Sequence, residues 1–187
     1  MRVIAGKFRS RRLKGPKTLS VRATGDRLRV TLFDILGPAV EDSLFLDLYA
    51  GTGAIGIEAV SRGAREVIFV ESHEKTAELI RENLKALEIS AGVEVIEDKV
   101  LRGLARIGAR HLMADFIFLD PPYDAVEEHS ATLGFLDASH LIAPAGMVIV
   151  EHRRKIALPD RFDRLERKRI VEQGDKALSF YRLAAAA

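Results

Sequence analysis

The chain has 187 residues, 48% of them hydrophobic and 30% charged, a balance that suits one globular domain with a buried core and excludes disordered, collagen-like and fibrous classes. It contains no cysteine, which removes disulfides, zinc-thiolate and iron-sulfur sites and thiol nucleophiles together and fits a reducing compartment. The amino-terminal MRVIAGKFRSRRLKG has no apolar signal region. No apolar run approaches the ~20 residues that span a bilayer, so a cytoplasmic protein without a membrane partner is expected.

The formal net charge of +2 conceals an asymmetry. Residues 1–32 hold ten Lys or Arg against a single acid, Asp26, a net charge of +9; the rest carries 19 basic and 26 acidic residues, a net charge of −7. Such a segment on an acidic body is the footprint of a polyanion-binding arm, because each neutralised phosphate releases counterions. A solvated tail is the plainer alternative. Val3, Ile4, Phe8, Leu13, Leu19 and Val21 are interleaved with the charges, and Gly6 and Gly15-Pro16 signal turns, which favours a hairpin or extended arm laid on the domain.

From Thr24, a plausible N-cap, the pattern becomes helical, with Leu28, Leu32, Ile35 and Leu36 on one face until Gly37-Pro38 ends it. Five short apolar runs follow: Leu44–Tyr49, Val67–Glu71, Val93–Glu97, Phe116–Leu119 and Met147–Val150. Near-continuous apolarity at this length predicts parallel strands covered on both faces. Amphipathic segments lie between them, clearest at Glu74–Leu87, where Ala77, Ile80, Leu84 and Leu87 form one stripe. This β-α order predicts an α/β fold with an open, mostly parallel, doubly wound sheet, whose ligands sit beyond the carboxyl ends of the strands. Near the end, Phe162–Val171 and Ala177–Leu183 flank Glu172-Gln173-Gly174-Asp175, predicting an antiparallel hairpin that closes the sheet edge. The terminal 184–187 stretch is expected to fray.

After the first strand comes Asp47-Leu48-Tyr49-Ala50-Gly51-Thr52-Gly53-Ala54-Ile55-Gly56, running into a helix. Glycines there permit a tight turn and close approach of a ligand to free amides at a helix N-terminus. The spacing also matches G-x-G-x-x-G, and Glu71 ends the second strand, where an acid accepts from ribose hydroxyls. These residues predict a nucleoside site made by Asp47, Ala50, Gly51, Thr52, Gly53 and Glu71, as against a purely structural glycine turn. Two acids favour S-adenosylmethionine over a dinucleotide. Asp47 would hold a cationic amino group and repel a pyrophosphate, and Asp98, after the third strand, suits an adenine amino group, with Glu97 as its neighbouring substitute.

Asp120-Pro121-Pro122-Tyr123 directly follows the strand Phe116–Leu119. An exocyclic base amine is a poor nucleophile because its lone pair is delocalised. The Asp120 carboxylate and the Pro121 carbonyl accept both amine hydrogens and aim the nitrogen at the methyl donor. Pro122 stiffens the loop, and Tyr123 offers a face on which an extruded base stacks. Asp120 would orient the amine in the main, with proton relay as its second possible role; an Asp-Pro turn that merely ends a strand is the structural alternative. The histidines at 73, 111, 129, 140 and 152 have no metal-ligand spacing, and no metal is expected. His73 reads as a surface residue, while Glu151-His152 ends another strand and is left open.

The sequence resembles the RsmD family of bacterial methyltransferases along nearly its whole length. The similarity runs through Arg2-Val3-Ile4-Ala5-Gly6 with Arg11-Arg12-Leu13, Leu46-Asp47-Leu48-Tyr49-Ala50-Gly51-Thr52-Gly53, Asp120-Pro121-Pro122-Tyr123 and Leu178-Ser179-Phe180-Tyr181. More specific is Arg22-Ala23-Thr24-Gly25-Asp26-Arg27-Leu28-Arg29, which is similar to the family's R-P-T-x-D-R-V-R-E. Ala23, Leu28 and Val30 depart from its proline, valine and glutamate.

The resemblance implies a Rossmann-like class I methyltransferase that uses S-adenosylmethionine to modify the exocyclic N2 of a guanine in 16S rRNA, within an assembled or assembling small subunit. It places Thr24, Asp26 and Arg27 near the mouth of the active site. Residues 1–23 are then an RNA-binding arm and 24–187 the catalytic domain, in a monomer. Lys7, Arg9, Arg11, Arg12, Arg22, Arg27 and Arg29 are the expected RNA contacts. Two rival readings are weighed: amine methylation of DNA adenine or protein glutamine, and a non-catalytic RNA-binding assembly factor. A DNA enzyme needs a larger recognition region, a glutamine enzyme usually has Asn where Asp120 stands, and a pure binder has no need of Asp47, Glu71 and Asp120 together.

Overall fold

The apolar runs form one seven-stranded sheet of order β3-β2-β1-β4-β5-β7-β6. The computed structural model describes residues 1–15, 23–122 and 126–185. In chain order the elements are α1 (Ala23–Leu36), β1 (Leu44–Leu48), α2 (Ala54–Ser61), β2 (Glu66–Glu71), α3 (Glu74–Ala86), β3 (Val93–Glu97), α4 (Val100–Gly108), β4 (Ala114–Leu119), α5 (Val126–Ala138), β5 (Ile142–Arg153), β6 (Leu165–Gln173) and β7 (Lys176–Leu183). A 3₁₀ turn at Gly37–Val40 follows α1, where Gly37 adopts φ +57° and Pro38 stops the α-helix as expected. The Thr24 side chain lies outside the described residues.

Strands β1 to β5 run parallel, and β7 is antiparallel to both β5 and β6. Alternation along the strands makes two cores. Phe45, Val67, Phe69, Phe116 and Phe118 face α1, α2 and α3 through Phe33, Ile57 and Ile80. Leu44, Leu46, Leu48, Ile68, Ile117 and Leu119 face α4 and α5 through Leu104, Ile107, Leu133 and Leu136. Both faces of the central strands are therefore buried, which is why their sequence shows no polar alternation.

One expectation shifts and another is made specific. Strand β5 extends well beyond Met147–Val150, because its first half passes through Ala143-Pro144-Ala145-Gly146, a stretch with no strand signature. The β4 register breaks there, between Ala114 and Phe116. A Cβ on Gly146 would lie 2.8 Å from the Ala114 carbonyl oxygen, so glycine permits the close approach. The closing hairpin turns through Gly174-Asp175, with Gly174 at φ +65°. Its second strand is not the outermost: β7, buried from Ala177 to Tyr181, inserts beside β5, while β6 with exposed Lys168 and Arg169 forms the edge.

The first residues fold back on themselves and dock. Arg2 and Arg12 form an antiparallel bridge, the Val3 N–H donates to Arg11 O at 3.0 Å, and the Leu13 N–H donates to Met1 O at 3.1 Å. Val3 and Leu13 enter the core. Glu58, the lone acid of α2 and fully buried, accepts from the N–H groups of Ile4 (2.7 Å) and Ala5 (3.0 Å) and from Arg62 Nε (2.8 Å). Gly6, at φ +78°, fits only because it lacks a Cβ, which would sit 1.8 Å from Ser61 O.

Candidate active site at the carboxyl edge of the sheet

The carboxyl ends of β1, β2, β4 and β5 gather the predicted chemistry along one edge. The loop after β1 turns through three left-handed residues, Tyr49 (φ 59°), Gly51 (φ 55°) and Gly53 (φ 75°). The Gly51 N–H donates to Glu71 Oε2 at 2.9 Å, and Glu71 Oε1 accepts from the His73 N–H at 2.9 Å. Glu71 thus ties the glycine loop to the end of β2, and each oxygen retains a lone pair for a ligand hydroxyl.

The three glycines have different tasks. A Cβ on Gly51 would meet nothing nearer than 3.9 Å, so the space at its Cα is open to a ligand; a Cβ on Gly56 would strike Phe69 Cε1 at 2.3 Å, so that glycine serves packing of α2 on β2. Gly53 is the N-cap of α2. Tyr49, whose side chain turns the other way, shares a 2.9 Å hydrogen bond with Thr132 of α5, and burial pushes its phenol up to about 12. Ala50 N–H is committed to Val70 O.

Asp47 lies beneath the loop, almost wholly buried, with Oδ2 accepting from the Gly56 N–H at 2.8 Å. Burial raises its carboxyl to about 8 despite that hydrogen bond, and nearby Glu71 adds to the rise. Asp98 stands at the end of β3 beside β2, its N–H donating to Glu71 O at 3.1 Å. Its carboxylate accepts from the Lys99 N–H (2.7 Å) and pairs with Arg102 Nε (2.6 Å). Glu97, its neighbour, is exposed and paired with Arg81 at 3.1 Å.

Leu48, Leu119 and Val150 lie level on β1, β4 and β5, so Asp120 and Glu151 emerge side by side one residue later. Asp120 is partly buried, with its N–H directed at Leu48 O at 3.5 Å; Pro121 is buried and Pro122 exposed. Burial raises the Asp120 carboxyl well above the usual range, the Glu151 charge raises it further, and the Lys176 ammonium draws it back. Lys176, at the start of β7, donates to Glu151 Oε1, and both side chains are largely buried. Tyr123 lies outside the described residues.

His152 faces away from this group. Its Nδ1 donates to Arg153 O and its Nε2 accepts from Ser179 Oγ, both at 2.9 Å, and burial lowers its pKa, so the ring stays neutral. His73 has an exposed ring, as expected. Among the described residues no group of three or more His, Cys, Asp or Glu is placed to hold a metal ion. Nor is any helix there long and apolar enough to cross a membrane.

Of the expected RNA contacts, Lys7, Arg9, Arg11, Arg12 and Arg27 are exposed, while Arg22 lies outside the described residues. Arg29 is corrected: it is buried, and its Nη2 donates to Arg2 O at 2.6 Å, so it fastens α1 to the arm from within instead of meeting phosphate. Sequence reasoning missed Asn83, Glu58 and Lys176. Asn83 interrupts the apolar stripe of α3 and Glu58 is the only acid in α2, signals of a buried polar tie; Lys176 had no signal beyond following the hairpin turn.

This strand order, with an antiparallel strand inserted beside β5, belongs to the Rossmann-like methyltransferases. The solved structure of YhhF from Escherichia coli superposes with a TM-score of 0.84 at 28% identity, covering 100% of this chain and 99% of that one. SMU.776, solved with SAH, shares the fold at a TM-score of 0.68 and 14% identity, over 87% of this chain and 50% of its own. Residues 1–182 match the family described as Conserved hypothetical protein 95, and the chain belongs to it: this is the RsmD family of methyltransferases. The ribosomal RNA small subunit methyltransferase D of Escherichia coli K12 is 32% identical over 161 residues, covering 85% of this chain and 78% of its own. Its Haemophilus influenzae counterpart is 33% identical over 171 residues, covering 90% and 88%. YlbH of Bacillus subtilis is 34% identical over 182 residues, covering 97% and 98%.

Proposed function

We propose that the protein transfers a methyl group from S-adenosylmethionine to the exocyclic N2 amine of a guanine in 16S rRNA. The observation that carries this reading is the position of Asp120 and Pro121, directly beyond β4 on the same edge where β1, with its glycine loop, β2 and β5 also end. The residues fit the cofactor. Glu71 would accept from the ribose hydroxyls, Asp47 would hold the methionine ammonium, Asp98 would meet the adenine amine, and Ala50, Gly51, Thr52 and Gly53 would line the loop against it.

When bound, the cofactor supplies an activated methyl group on a sulfonium. Asp120 and the Pro121 carbonyl accept the two amine hydrogens, hold the nitrogen in line and favour its pyramidal form. Asp120 acts as an anion, and the neighbouring Lys176 opposes, without cancelling, the rise that burial and Glu151 impose on its carboxyl. The docked arm presents Lys7, Arg9, Arg11 and Arg12 as phosphate contacts, with the exposed Arg27 of α1 as a further one. So small a module suits a pre-shaped site in an assembled or assembling small subunit better than an unfolded strand, and the protein works there as a cytoplasmic monomer.

Mass spectrometry of 16S rRNA nucleosides from a deletion strain tests this. Loss of one N2-methylguanosine, restored by the wild-type gene and not by Asp120→Ala, is the expected result. An unchanged nucleoside profile would overturn the proposal.

A further inference from the structure

Three neighbouring strands deliver three polar side chains to one face of the sheet. Asp120 follows β4, Glu151 lies on β5 at the same level, and Lys176 begins β7. Leu178 is the direct partner of Glu151, and Lys176 is two residues away on the same face of β7. That is the diagonal position from which its ammonium reaches Glu151 Oε1. The side chains of Glu151 and Lys176 are 10% and 15% exposed. Two long charged groups held this far from water are costly unless their partners are specific. Neither is needed to close the fold, since the β5–β7 ladder is already complete between Val148 and Arg153.

The order of these groups along the edge is acceptor, acceptor, donor. The Watson–Crick edge of guanine presents the reverse complement: the N2 amine donates, N1–H donates and O6 accepts. We propose that Glu151 and Lys176 are the specificity-determining residues for the target base, Glu151 accepting from guanine N1–H and Lys176 donating to O6 while Asp120 holds N2. This rests on the guanine-N2 reading above and deepens it. The pair arrives already organised, because Lys176 bound to Glu151 fixes the carboxylate orientation and balances its charge before the base enters. An adenine placed with its amine on Asp120 would set the N1 lone pair against the Glu151 carboxylate and offer nothing to Lys176. A site built around hydrogen-bonded partners rejects such an analogue strongly, because its own buried groups are left unpaired. Asp120 stands level with Glu151 across β4 and β5, and the charges of Glu151 and Lys176 act on its carboxyl in opposite directions.

The test compares small-subunit rRNA carrying guanine at the modified position with the same RNA carrying 2-aminopurine there, which keeps the amine and lacks both N1–H and O6. Wild type should favour guanine by about 100-fold or more in kcat/KM. Glu151→Gln, whose amide can donate to the bare N1, should cut that ratio to about 10-fold by losing guanine activity and gaining activity on 2-aminopurine. Lys176→Met, which also removes the cation beside Asp120, should lose activity on both substrates and far more on guanine, so that the ratio falls. The ratio is internal to each variant, so partial misfolding does not alter it, and affinity for S-adenosylhomocysteine should be the same in all three proteins. Equal losses on both substrates, or a wild type indifferent to the replacement, would overturn this inference while leaving guanine methylation standing. A wild type that methylates no guanine in the rRNA overturns the underlying function as well.

Discussion

Asn83 on α3 donates its side-chain amide to Thr52 O, 3.1 Å away in the glycine loop. The same nitrogen donates to Lys14 O at 3.1 Å, and the side-chain oxygen accepts from the Lys14 N–H at 2.8 Å. One buried side chain therefore joins the basic arm to the glycine loop proposed to face the cofactor. Asn83→Ala strands three backbone groups and is expected to cost about 2 kcal/mol in a urea melt. It should also weaken S-adenosylhomocysteine binding in calorimetry, because the Thr52 carbonyl loses its anchor. Unchanged affinity would show that the loop holds its shape alone.

Glu58 offers a cleaner separation of arm from body. Its carboxylate takes the Ile4 and Ala5 amides, so Glu58→Ala should detach the amino-terminal hairpin and expose Arg9, Arg11 and Arg12 to trypsin. Cleavage in the first 15 residues is expected to accelerate by about 5- to 150-fold, as local opening becomes easier by about 1–3 kcal/mol. Mass spectrometry of a digestion time course would read this directly.

Asp120→Ala should abolish methyl transfer in a single-turnover assay while S-adenosylhomocysteine binds nearly as before. In the proposed role the carboxylate addresses the amine and not the cofactor, and a comparable loss of cofactor affinity would remove it from that role.

Replacing Arg9, Arg11 and Arg12 with Ala should weaken RNA binding and lower the slope of log K against log salt by about 2 to 3. Arg29→Ala is the contrasting variant: its guanidinium is buried on Arg2 O, so it should lower thermal stability and leave the salt slope unchanged. A flattened slope in Arg29→Ala would return that residue to the RNA surface.

Asp47 sets a pH dependence. Its folded value of about 8 lies far above the ordinary 3.8, so between those values the native state holds a proton that the unfolded chain has released. The stability linked to that proton is complete below 3.8 and falls as pH rises towards 8. Asp47→Asn keeps an acceptor for the Gly56 N–H without the charge. The melting temperature of wild type relative to this variant should therefore decline from pH 5 to pH 8, by scanning calorimetry. As the proposed partner of the methionine ammonium, ionised Asp47 should also make wild-type affinity for S-adenosylhomocysteine rise over the same range.

The sequence by itself determined the parallel core and the loops at its edge. Buried strands need continuous apolar runs, and tight turns at a ligand need glycine, so β1 to β4, the Gly51 loop and the Asp120-Pro121-Pro122 segment are written locally. The charge of the first 32 residues was likewise plain from counting. Only the tertiary structure decided which charges face water. Arg29 and Arg27 look alike in the sequence, yet α1 turns one inward onto Arg2 and the other outward. Strand order had the same character: nothing local places β7 between β5 and β6, because that choice depends on burying Ala177–Tyr181 against a strand far away in the chain. That insertion brings Lys176 beside Glu151, and through Glu151 beside Asp120. Local sequence records what each segment buries, whereas pairing across the sheet selects which distant side chains share a site.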